Sequence, residues 1–291
     1  MPRVSIAVPA YNCERYIARC LRSLLAQTFQ DFEIIVSDNA STDRTADICD
    51  EIACTDSRVR VVRRPDNIGG PSNFRYVYTL CSGELHKWST ADDYWDPRYL
   101  EVCVRELDRR PDVVLCYTRT VLVDSDDELI SKYDDNLDLV DPLPQTRFNK
   151  LLAEIGLCNA HLGVIRRAAM DRTLLIGNEL GSDVEFLAEL ALYGRFCVVP
   201  EYFFFRRYHE TSSSWNRDSL EHQSRYYNPP GGREFTLHTW KKLRRRYAAV
   251  WRSPLAFTQK LQLTRDVSRA AVWGVRALVS DLVSLFRASR H

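Results

Sequence analysis

The chain has 291 residues, and its 40 Lys and Arg against 39 Asp and Glu give a formal net charge of +1. This balance gives no general attraction to nucleic acid, so we expect no nucleic-acid partner. No stretch approaches the ~20 apolar residues of a transmembrane helix, and residues 1–3 do not begin a signal peptide. The length suits one large α/β domain with an appendage.

The chain contains nine cysteines, an odd number, and no two of them form a C-x-x-C pair. Most lie within apolar or helical stretches, as Cys103 and Cys116 do. Buried thiols of this kind behave as small apolar side chains, and they stay reduced in the cytosol. The pattern therefore predicts reduced, core-filling thiols and a cytoplasmic location.

The segment from residue 1 to about 130 alternates short apolar runs with amphipathic stretches. Helical spacing is clear, for example, in Ile17, Leu21 and Leu24. This alternation predicts βαβ units and a mostly parallel sheet flanked by helices. The predicted strands cover residues 4–8, 32–36, 59–62, 113–117 and 120–123, and the predicted helices cover 14–27, 43–53, 72–81 and 97–109.

The remainder of the chain divides into two further parts, 131–215 and 216–291. The first holds a polar loop over 134–144, a helix over 148–155, strands at 162–165, 196–200 and 202–207, and a helix over 182–193 with Ser182 as its N-cap. The second begins near a Pro- and Gly-rich break at 226–232 and predicts two helices. The last helix places five apolar residues on one face: Val272, Val275, Val279, Leu282 and Phe286.

Polar and acidic residues follow the predicted strands. Asp38 comes directly after a buried strand, and Asp92 and Asp93 follow another apolar element. In open α/β sheets, ligands bind at the carboxyl ends of the strands. Two adjacent carboxylates at such an edge suit a divalent cation that carries phosphate groups.

Six short segments carry a family resemblance, in order along the chain. They are residues 8–12 (VPAYN), 33–43 (EIIVSDNASTD), 67–69 (NIG) with Asn73, 90–93 (TADD), 182–183 (SD) and 207–209 (RYH). Over roughly residues 3–212 the sequence resembles the inverting glycosyltransferases of family 2, which have the GT-A fold. The resemblance implies transfer of a sugar from a nucleoside-diphosphate sugar, with a UDP-sugar favoured, to a hydroxyl of a glycan, a lipid-linked sugar or a cell-envelope polymer.

The resemblance also assigns donor-binding residues. Asp38 can accept hydrogen bonds from a base N–H or from ribose hydroxyls, and the family implies the base. Its implied neighbours on the donor are Pro9, Ala10, Tyr11, Asn67 and Asn73. The alternative role for Asp38 is to cap the following turn.

Asp92 and Asp93 are the predicted ligands of Mn²⁺ or Mg²⁺, which would neutralise the diphosphate leaving group. Thr90 stands where the family has its first acid, so one charge is missing. His209, with Arg207 nearby, is predicted to contact the diphosphate or the metal. The alternatives are an acid-rich helix start for the two aspartates and an ordinary surface histidine for His209.

Asp183 is the predicted catalytic base, because inversion requires one carboxylate opposite the leaving group to accept the acceptor's proton. Ser182 replaces the family's preceding Glu, and Glu185 should face elsewhere on the helix. A carboxylate that merely complements the helix dipole is the alternative. His161 falls on the acceptor side, where a packed histidine is the simpler interpretation.

Other functions stay open at this point. A nucleotidyltransferase would show a Gly-rich phosphate loop after the first strand, and a Rossmann dehydrogenase would show G-x-G-x-x-G; neither is present. A binding protein that has lost catalysis is suggested by Thr90 and Ser182. The basic run 241–246 and nearby aromatics allow the C-terminal helices to contact an anionic membrane surface, to form a homodimer or simply to pack on the domain.

Overall fold

The computed structural model describes residues 1–135, 137–210, 212, 227 and 237–288. The strands are β1 Val4–Ala10, β2 Phe32–Asp38, β3 Val59–Arg63, β4 Leu85–Trp88, β5 Tyr94–Trp95, β6 Val113–Val123, β7 Leu129–Tyr133, β8 Val164–Arg166 and β9 Arg195–Arg207. The helices are α1 Ile17–Leu25, α2 Thr45–Ala53, α3 Gly70–Thr79, α4 Tyr99–Arg109, α5 Pro144–Glu154, α6 Arg167–Met170, α7 Ser182–Leu190, α8 His238–Arg252, α9 Phe257–Trp273 and α10 Val275–Ala288, and a 3₁₀ turn covers Asn159–Leu162.

All nine strands form one sheet in the order β3-β2-β1-β4-β8-β6-β9-β5, and β7 pairs with β6 outside this path. Strands β1 to β4 pair in parallel, whereas β5, β7 and β8 run against their neighbours. The predicted α/β class with a mostly parallel sheet is confirmed. In the β1–β2 register, Ala10 lies opposite Asp38, so two of the predicted donor-binding residues meet at one edge.

The parallel half is buried on both faces. Every residue of β1 is buried, and α1 contributes Leu21 and Leu24 to the same core. Such strands are continuous apolar runs because helices cover both sides of a parallel sheet. Burial of each of these side chains stabilises the fold by about 1.5–3 kcal/mol. The core therefore fixes the strand ends from which the polar residues project.

Two strands are longer than predicted. β6 and β9 are each continuous where two strands were expected, and they pair with each other in parallel. Their register shifts where Thr118 pairs with Val199 and Arg119 with Tyr202. Pro200 lies in the skipped segment, because a proline has no N–H to donate to the ladder. The interruptions that the sequence predicts between residues 117 and 120 and between residues 200 and 202 are therefore irregularities within continuous strands.

β7 was not predicted. Most of its residues are exposed, so it lacks the alternation of apolar and polar residues by which a half-buried strand is recognised. Its pairing with β6 comes from the backbone of the hairpin between them.

The C-terminal part contains three helices in the described residues, so the prediction of two was wrong. Gly274 ends α9 and separates it from α10. Val272 therefore belongs to α9, while Val275, Val279 and Leu282 lie on α10. The side chain of Phe286 and the predicted break at 226 and 228–232 fall outside the described residues.

The basic residues of α8 bind the preceding domain. Arg246 pairs with Glu185 at 2.8 Å and Arg245 with Glu179 at 2.9 Å. Further along the helix, Arg252 lies 3.7 Å from Glu189. Part of the basic run thus packs α8 on the domain, which is one of the three alternatives that the sequence leaves open.

The nine cysteines are all free, and seven of them are buried, as the sequence predicts for core-filling thiols. Cys54 is the exposed one. In the part of the chain that the structure describes, no helix combines the length and apolarity needed to cross a membrane.

Candidate active site

A cavity of about 320 Å³ opens at the strand ends, between the end of β4 and the start of α7. Asp92 and Asp183, which are far apart in sequence, both line it. The other polar residues that line it are Thr90, Asp93, Cys158, His161, Ser182, Arg206, Arg207, Ser212 and Tyr227. Apolar side chains such as Phe74 and Leu162 complete the lining, so the cavity combines titratable and apolar groups.

Asp38 ends β2 and is almost fully buried. Its Oδ2 accepts the backbone N–H of Ser41 at 3.2 Å, whereas Oδ1 has no hydrogen-bond partner. A buried acceptor without a partner costs free energy, about 1–3 kcal/mol, unless a ligand supplies the donor. Pro9 and Ala10 are buried in the adjacent strand, and Tyr11 beyond them is 44% exposed. This edge fits the predicted nucleotide-base site.

Asn67 and Asn73 form hydrogen bonds within the protein at this edge of the sheet. Asn73 accepts from the Ser37 hydroxyl at 2.6 Å and donates to the Ser37 carbonyl at 2.9 Å. Asn67 Oδ1 accepts from Asn39 Nδ2 at 2.9 Å and from Gly69 N–H at 2.8 Å. These bonds tie the start of α3 to β2, and the predicted contacts of the two asparagines with the donor stay predictions.

The two aspartates of the acidic pair have different surroundings. Asp92 faces the cavity, and its Oδ2 lies 2.9 Å from His209 Nε2. Asp93 is buried, and it accepts from the Thr90 hydroxyl and from the Arg207 backbone N–H. Burial, with a smaller effect of Asp92, raises the pKa of Asp93 to about 7. Both aspartates line the cavity, and their predicted binding of Mn²⁺ or Mg²⁺ stays a prediction.

Arg206 and Arg207 point in different directions because successive side chains of a strand alternate. The Arg207 guanidinium donates to the carbonyls of Asp92 and Asp124, at 2.9 and 3.0 Å, and is almost fully buried. The Arg207 guanidinium also pairs with Asp127 at 2.6 Å, and its predicted place beside His209 near the diphosphate or the metal stays a prediction. Arg206 instead reaches the segment that leads to the 3₁₀ turn and donates to the Leu157 carbonyl at 2.7 Å.

Asp183 lies in the first turn of α7, half-buried on the cavity wall. The preceding Gly181 has φ +76°, a conformation that glycine adopts without strain, and it is the N-cap. Ser182 is the first helical residue and its hydroxyl donates to the Gly177 carbonyl at 2.8 Å, so its prediction as N-cap was wrong by one position. Glu185 points away toward Arg246, as predicted.

His161 and Cys158 stand beside Asp183. His161 belongs to the 3₁₀ turn, and its Nδ1 lies 2.5 Å from the Cys158 carbonyl oxygen. Burial lowers the pKa of His161, so the ring is neutral near pH 7. The ring also faces Phe74, with centroids 6.5 Å apart. The histidine is packed, as expected, but it also forms part of the cavity wall.

Lys87 is a buried cation that the sequence did not reveal. Its Nζ donates to the carbonyls of Leu162 and Trp88 at 2.9 and 3.2 Å and lies 4.0 Å from the Trp95 ring centroid. Burial lowers its pKa to about 7. By binding the Leu162 carbonyl, Lys87 holds the turn that carries His161. In sequence it is one charged residue in the short strand Leu-His-Lys-Trp, whose pattern does not show that the lysine is buried.

Comparisons with known proteins agree with this geometry. Residues 5–174 match the family model for glycosyl transferase family 2, which covers more than half of the chain. The chain belongs to glycosyltransferase family 2. The predicted family is thus confirmed, while Asp183 and His209 lie beyond the matched residues.

This family 2 chain is similar to part of several polysaccharide synthases. It is 36% identical over 132 residues to a chondroitin synthase of Escherichia coli and 34% identical over 131 residues to a hyaluronan synthase of Pasteurella multocida. These matches cover 45% of the chain but only 19% and 13% of the two synthases. An uncharacterized glycosyltransferase of Haemophilus influenzae is 26% identical over 227 residues, 76% of this chain and 70% of the relative.

Solved structures show the fold of the family 2 chain. S. aureus TarS 1-349 in complex with UDP-GlcNAc has a TM-score of 0.69 at 18% identity, covering 92% of this chain and 72% of that one. The mannosyltransferase PcManGT from Pyrobaculum calidifontis, in complex with GDP-Man and Mn²⁺, has a TM-score of 0.56 at 18% identity, covering 98% and 80%. The predicted GT-A fold with C-terminal helices is confirmed.

Proposed function

We propose that the chain is an inverting glycosyltransferase that transfers a sugar from a nucleoside-diphosphate sugar to an acceptor hydroxyl. The observation that carries the proposal is the cavity with Asp92 and Asp183 on its walls. In this proposal Asp92 serves the leaving group and Asp183 serves the acceptor. The unpaired Asp38 oxygen at the neighbouring strand end supplies a place for the base.

The proposed division of work follows from the surroundings of each residue. Asp38 binds the nucleotide base, with Pro9, Ala10 and Tyr11 beside it. Asp92 and His209 would hold Mn²⁺ or Mg²⁺, which supplies positive charge to the departing diphosphate. In this proposal Asp93 fixes the position of the metal site, because it accepts hydrogen bonds from the Thr90 hydroxyl and the Arg207 backbone N–H.

Asp183 takes the acceptor proton in the proposed reaction. The acceptor oxygen forms a bond to C1 of the sugar while the bond from C1 to the diphosphate oxygen breaks, and the hydroxyl proton passes to the Asp183 carboxylate. The nucleoside diphosphate leaves on the opposite side. A single displacement of this kind inverts the configuration at C1.

The choice of donor and acceptor rests on relatives. TarS in complex with UDP-GlcNAc supports a UDP-sugar, and PcManGT in complex with GDP-Man and Mn²⁺ makes a GDP-sugar the second choice. The chondroitin and hyaluronan synthases support polysaccharide synthesis. We therefore propose a glycan, lipid-linked or cell-envelope acceptor.

The second candidate is a nucleotide-sugar-binding protein without catalysis. Thr90 and Ser182 favour it, since both replace family acids, and Ser182 is buried and donates to a backbone carbonyl. A nucleotidyltransferase of similar fold is a further alternative. Both candidates predict nucleotide binding, but neither predicts a glycosidic product.

The test has two stages. Thermal-shift measurements with UDP, GDP, dTDP and their sugars, with and without Mn²⁺, identify the nucleotide, because a ligand of the folded state raises its stability. The best donor is then incubated with candidate acceptors, and the anomeric configuration of the product is read by NMR. An inverted product supports the proposal. A retained configuration contradicts the mechanism, and binding without any transfer or donor hydrolysis favours the non-catalytic alternative.

For location, we propose a cytoplasmic protein that touches the inner face of the plasma membrane through α9 and α10. Val272, Trp273 and Val275 are 68%, 80% and 50% exposed, and Arg269 and Arg276 are exposed beside them. An apolar face with flanking arginines complements an anionic bilayer.

Flotation with phosphatidylglycerol vesicles tests the membrane contact. Parent protein should bind them and not phosphatidylcholine vesicles, whereas Trp273→Ser with Val275→Ser should stay in solution. Dimerisation of the parent, measured by sedimentation and lost in the same double variant without vesicle binding, would show that a second copy covers this face.

A further inference from the structure

Three different metal-binding side chains meet on the acceptor side of the cavity. The Cys158 sulfur, a ring nitrogen of His161 and a carboxylate oxygen of Asp183 all lie within 4.8 Å of one another. All three residues line the cavity, so an ion could reach them from its interior. Asp92 also lines the cavity, but it contacts His209 and does not belong to this group of three.

The backbone of the turn orients two of these ligands. Cys158 has φ +62° and ψ +29°, a left-handed conformation that is uncommon for a residue with a side chain. Such strain is found where the surrounding structure fixes a side chain for function. In this conformation Cys158 precedes the 3₁₀ turn, and its side chain lies beside Asp183.

The tautomer of His161 follows from its hydrogen bond. A carbonyl oxygen only accepts, so the Nδ1 that lies 2.5 Å from the Cys158 oxygen must carry the proton. Nε2 then has the free lone pair. Histidines that bind metals are commonly held in this way, with the other nitrogen donating to a carbonyl or carboxylate.

We propose that Cys158, His161 and Asp183 form a zinc site whose fourth position opens into the cavity, and that Zn²⁺ bound there inhibits transfer. Thiolate, imidazole and carboxylate are the ligand types of zinc, and three protein ligands with one open position form a typical accessible site. The Asp92–His209 pair lacks a thiolate, the ligand that most favours zinc over Mn²⁺ and Mg²⁺. The two sites therefore differ in the metal that they prefer.

The inhibitory part rests on the proposed function, because it assumes that Asp183 is the base. A carboxylate bound to Zn²⁺ no longer accepts the acceptor proton. Zinc binding itself does not depend on that assumption. It requires Cys158 to lose its thiol proton to solvent as the Zn–S bond forms, so binding should release a proton and weaken as the pH falls.

Cobalt spectroscopy of the whole chain tests the site without an activity assay. Co²⁺ added to the parent should give the near-ultraviolet thiolate-to-cobalt band and the visible bands of a tetrahedral centre, and Zn²⁺ should displace both. Cys158→Ser and His161→Gln should lose the thiolate band or weaken Zn²⁺ affinity by more than about tenfold. Cys54→Ser is the matched control, because Cys54 is the exposed thiol. An unchanged band in a folded Cys158→Ser protein, or a band lost in Cys54→Ser, overturns the site.

A second measurement separates the site from the proposed function. At saturating Mn²⁺, Zn²⁺ should inhibit transfer by the parent and by Cys54→Ser, while Cys158→Ser should need more than about tenfold more Zn²⁺ for the same relative inhibition. Equal inhibition of all three proteins would show that zinc acts at Asp92 instead. Cobalt bands in a chain without transfer activity would support the site and contradict the transferase. Transfer activity in a chain that gives no cobalt bands would support the transferase and contradict the zinc site.

Discussion

Asp92 Oδ2 and His209 Nε2 lie 2.9 Å apart, although the two residues are separated by 117 positions. The contact links the loop after β4 to the residues after β9. The ring centroids of His209 and Tyr16 also lie 4.8 Å apart. In the proposed function, this carboxylate and imidazole would bind a metal ion once the proton between them is released. The pair would then compensate for Thr90, which stands where the family has its first acid.

The first prediction concerns this pair. His209→Ala should weaken activation by Mn²⁺ at least about 10–100-fold, because the loss of a group that only supports a metal ligand already has that effect. Asp92→Ala should nearly abolish transfer, and chelation of the parent should do the same. Titration of activity with Mn²⁺ measures all three effects. Full turnover of the parent in excess chelator would show that no metal is needed.

The second prediction concerns the orphaned oxygen of Asp38. Asp38→Ala should weaken nucleotide binding by about 1–3 kcal/mol, because the base N–H groups lose a buried acceptor. Calorimetric titration with UDP gives the free energy, and Asp31→Ala, at an exposed position before β2, is the control. If Asp38→Ala binds UDP as tightly as the parent, the nucleotide base lies elsewhere.

The third prediction separates Asp183 from its neighbour on α7. Asp183→Asn should lower turnover about 10²–10⁴-fold and leave donor binding nearly unchanged, because the amide cannot accept the proton. Glu185→Gln keeps a hydrogen bond to Arg246 and should change turnover little. Steady-state rates and donor affinities of both variants decide the matter. A larger loss of turnover in Glu185→Gln would place the base there.

The fourth prediction uses the buried histidine of β4. His86 is almost fully buried, and neither ring nitrogen has a partner. Replacing it with an apolar residue removes two unsatisfied groups, so His86→Leu should raise the free energy of unfolding at pH 7 by about 1 kcal/mol. Denaturant unfolding measures the change, and a clear loss of stability would indicate that the ring has an essential packing role.

The same variant should change the acid sensitivity of the protein. Burial lowers the pKa of His86 to about 3 from its ordinary 6.5, so between these values only the unfolded chain takes up the proton. The free energy of unfolding of the parent therefore decreases as the pH falls from 6.5 toward 3, because protonation of His86 stabilises only the unfolded chain. His86→Leu lacks this loss, and its advantage over the parent should grow across that interval.

The fifth prediction concerns the attachment of α8. Glu185 is almost fully buried, so Arg246→Met should destabilise the fold by about 2 kcal/mol by leaving that carboxylate unpaired. The double variant Glu185→Leu with Arg246→Met should recover most of the loss, because an apolar pair can replace a buried ion pair. Thermal unfolding of the three proteins tests this. Equal destabilisation of the single and double variants would mean that packing, not charge, holds the helix.

The parallel half of the sheet was predictable because each of its elements carries a local pattern. The apolar run of β1 and the helical spacing of Leu21 and Leu24 are visible in sequence alone. β7 was not predictable, since an exposed strand is defined by its backbone partner. The break at Gly274 was missed because the apolar period continues across it.

The sequence predicted that Asp92 and Asp183 lie at one cavity, because each is an acidic residue at a position where the family motif has one. Their chemical roles stay predictions. The direction in which Arg207 points depends on the pleat of β9. Its guanidinium donates to a carbonyl of a loop distant in sequence, that of Asp124, and the local sequence does not predict this partner. The meeting of Cys158, His161 and Asp183 requires a left-handed residue before a 3₁₀ turn, and no sequence spacing reports it.

The ion pairs between α8 and the segment around α7 also limit how far the chain can be shortened. The family match ends at residue 174, before the helix that carries Asp183. A polypeptide that stopped ahead of His238 would leave Glu179, Glu185 and Glu189 without their arginines, three carboxylates facing an uncovered surface. We therefore expect α8 to be needed for a stable α7 segment, since a chain without it would leave these carboxylates without their cations.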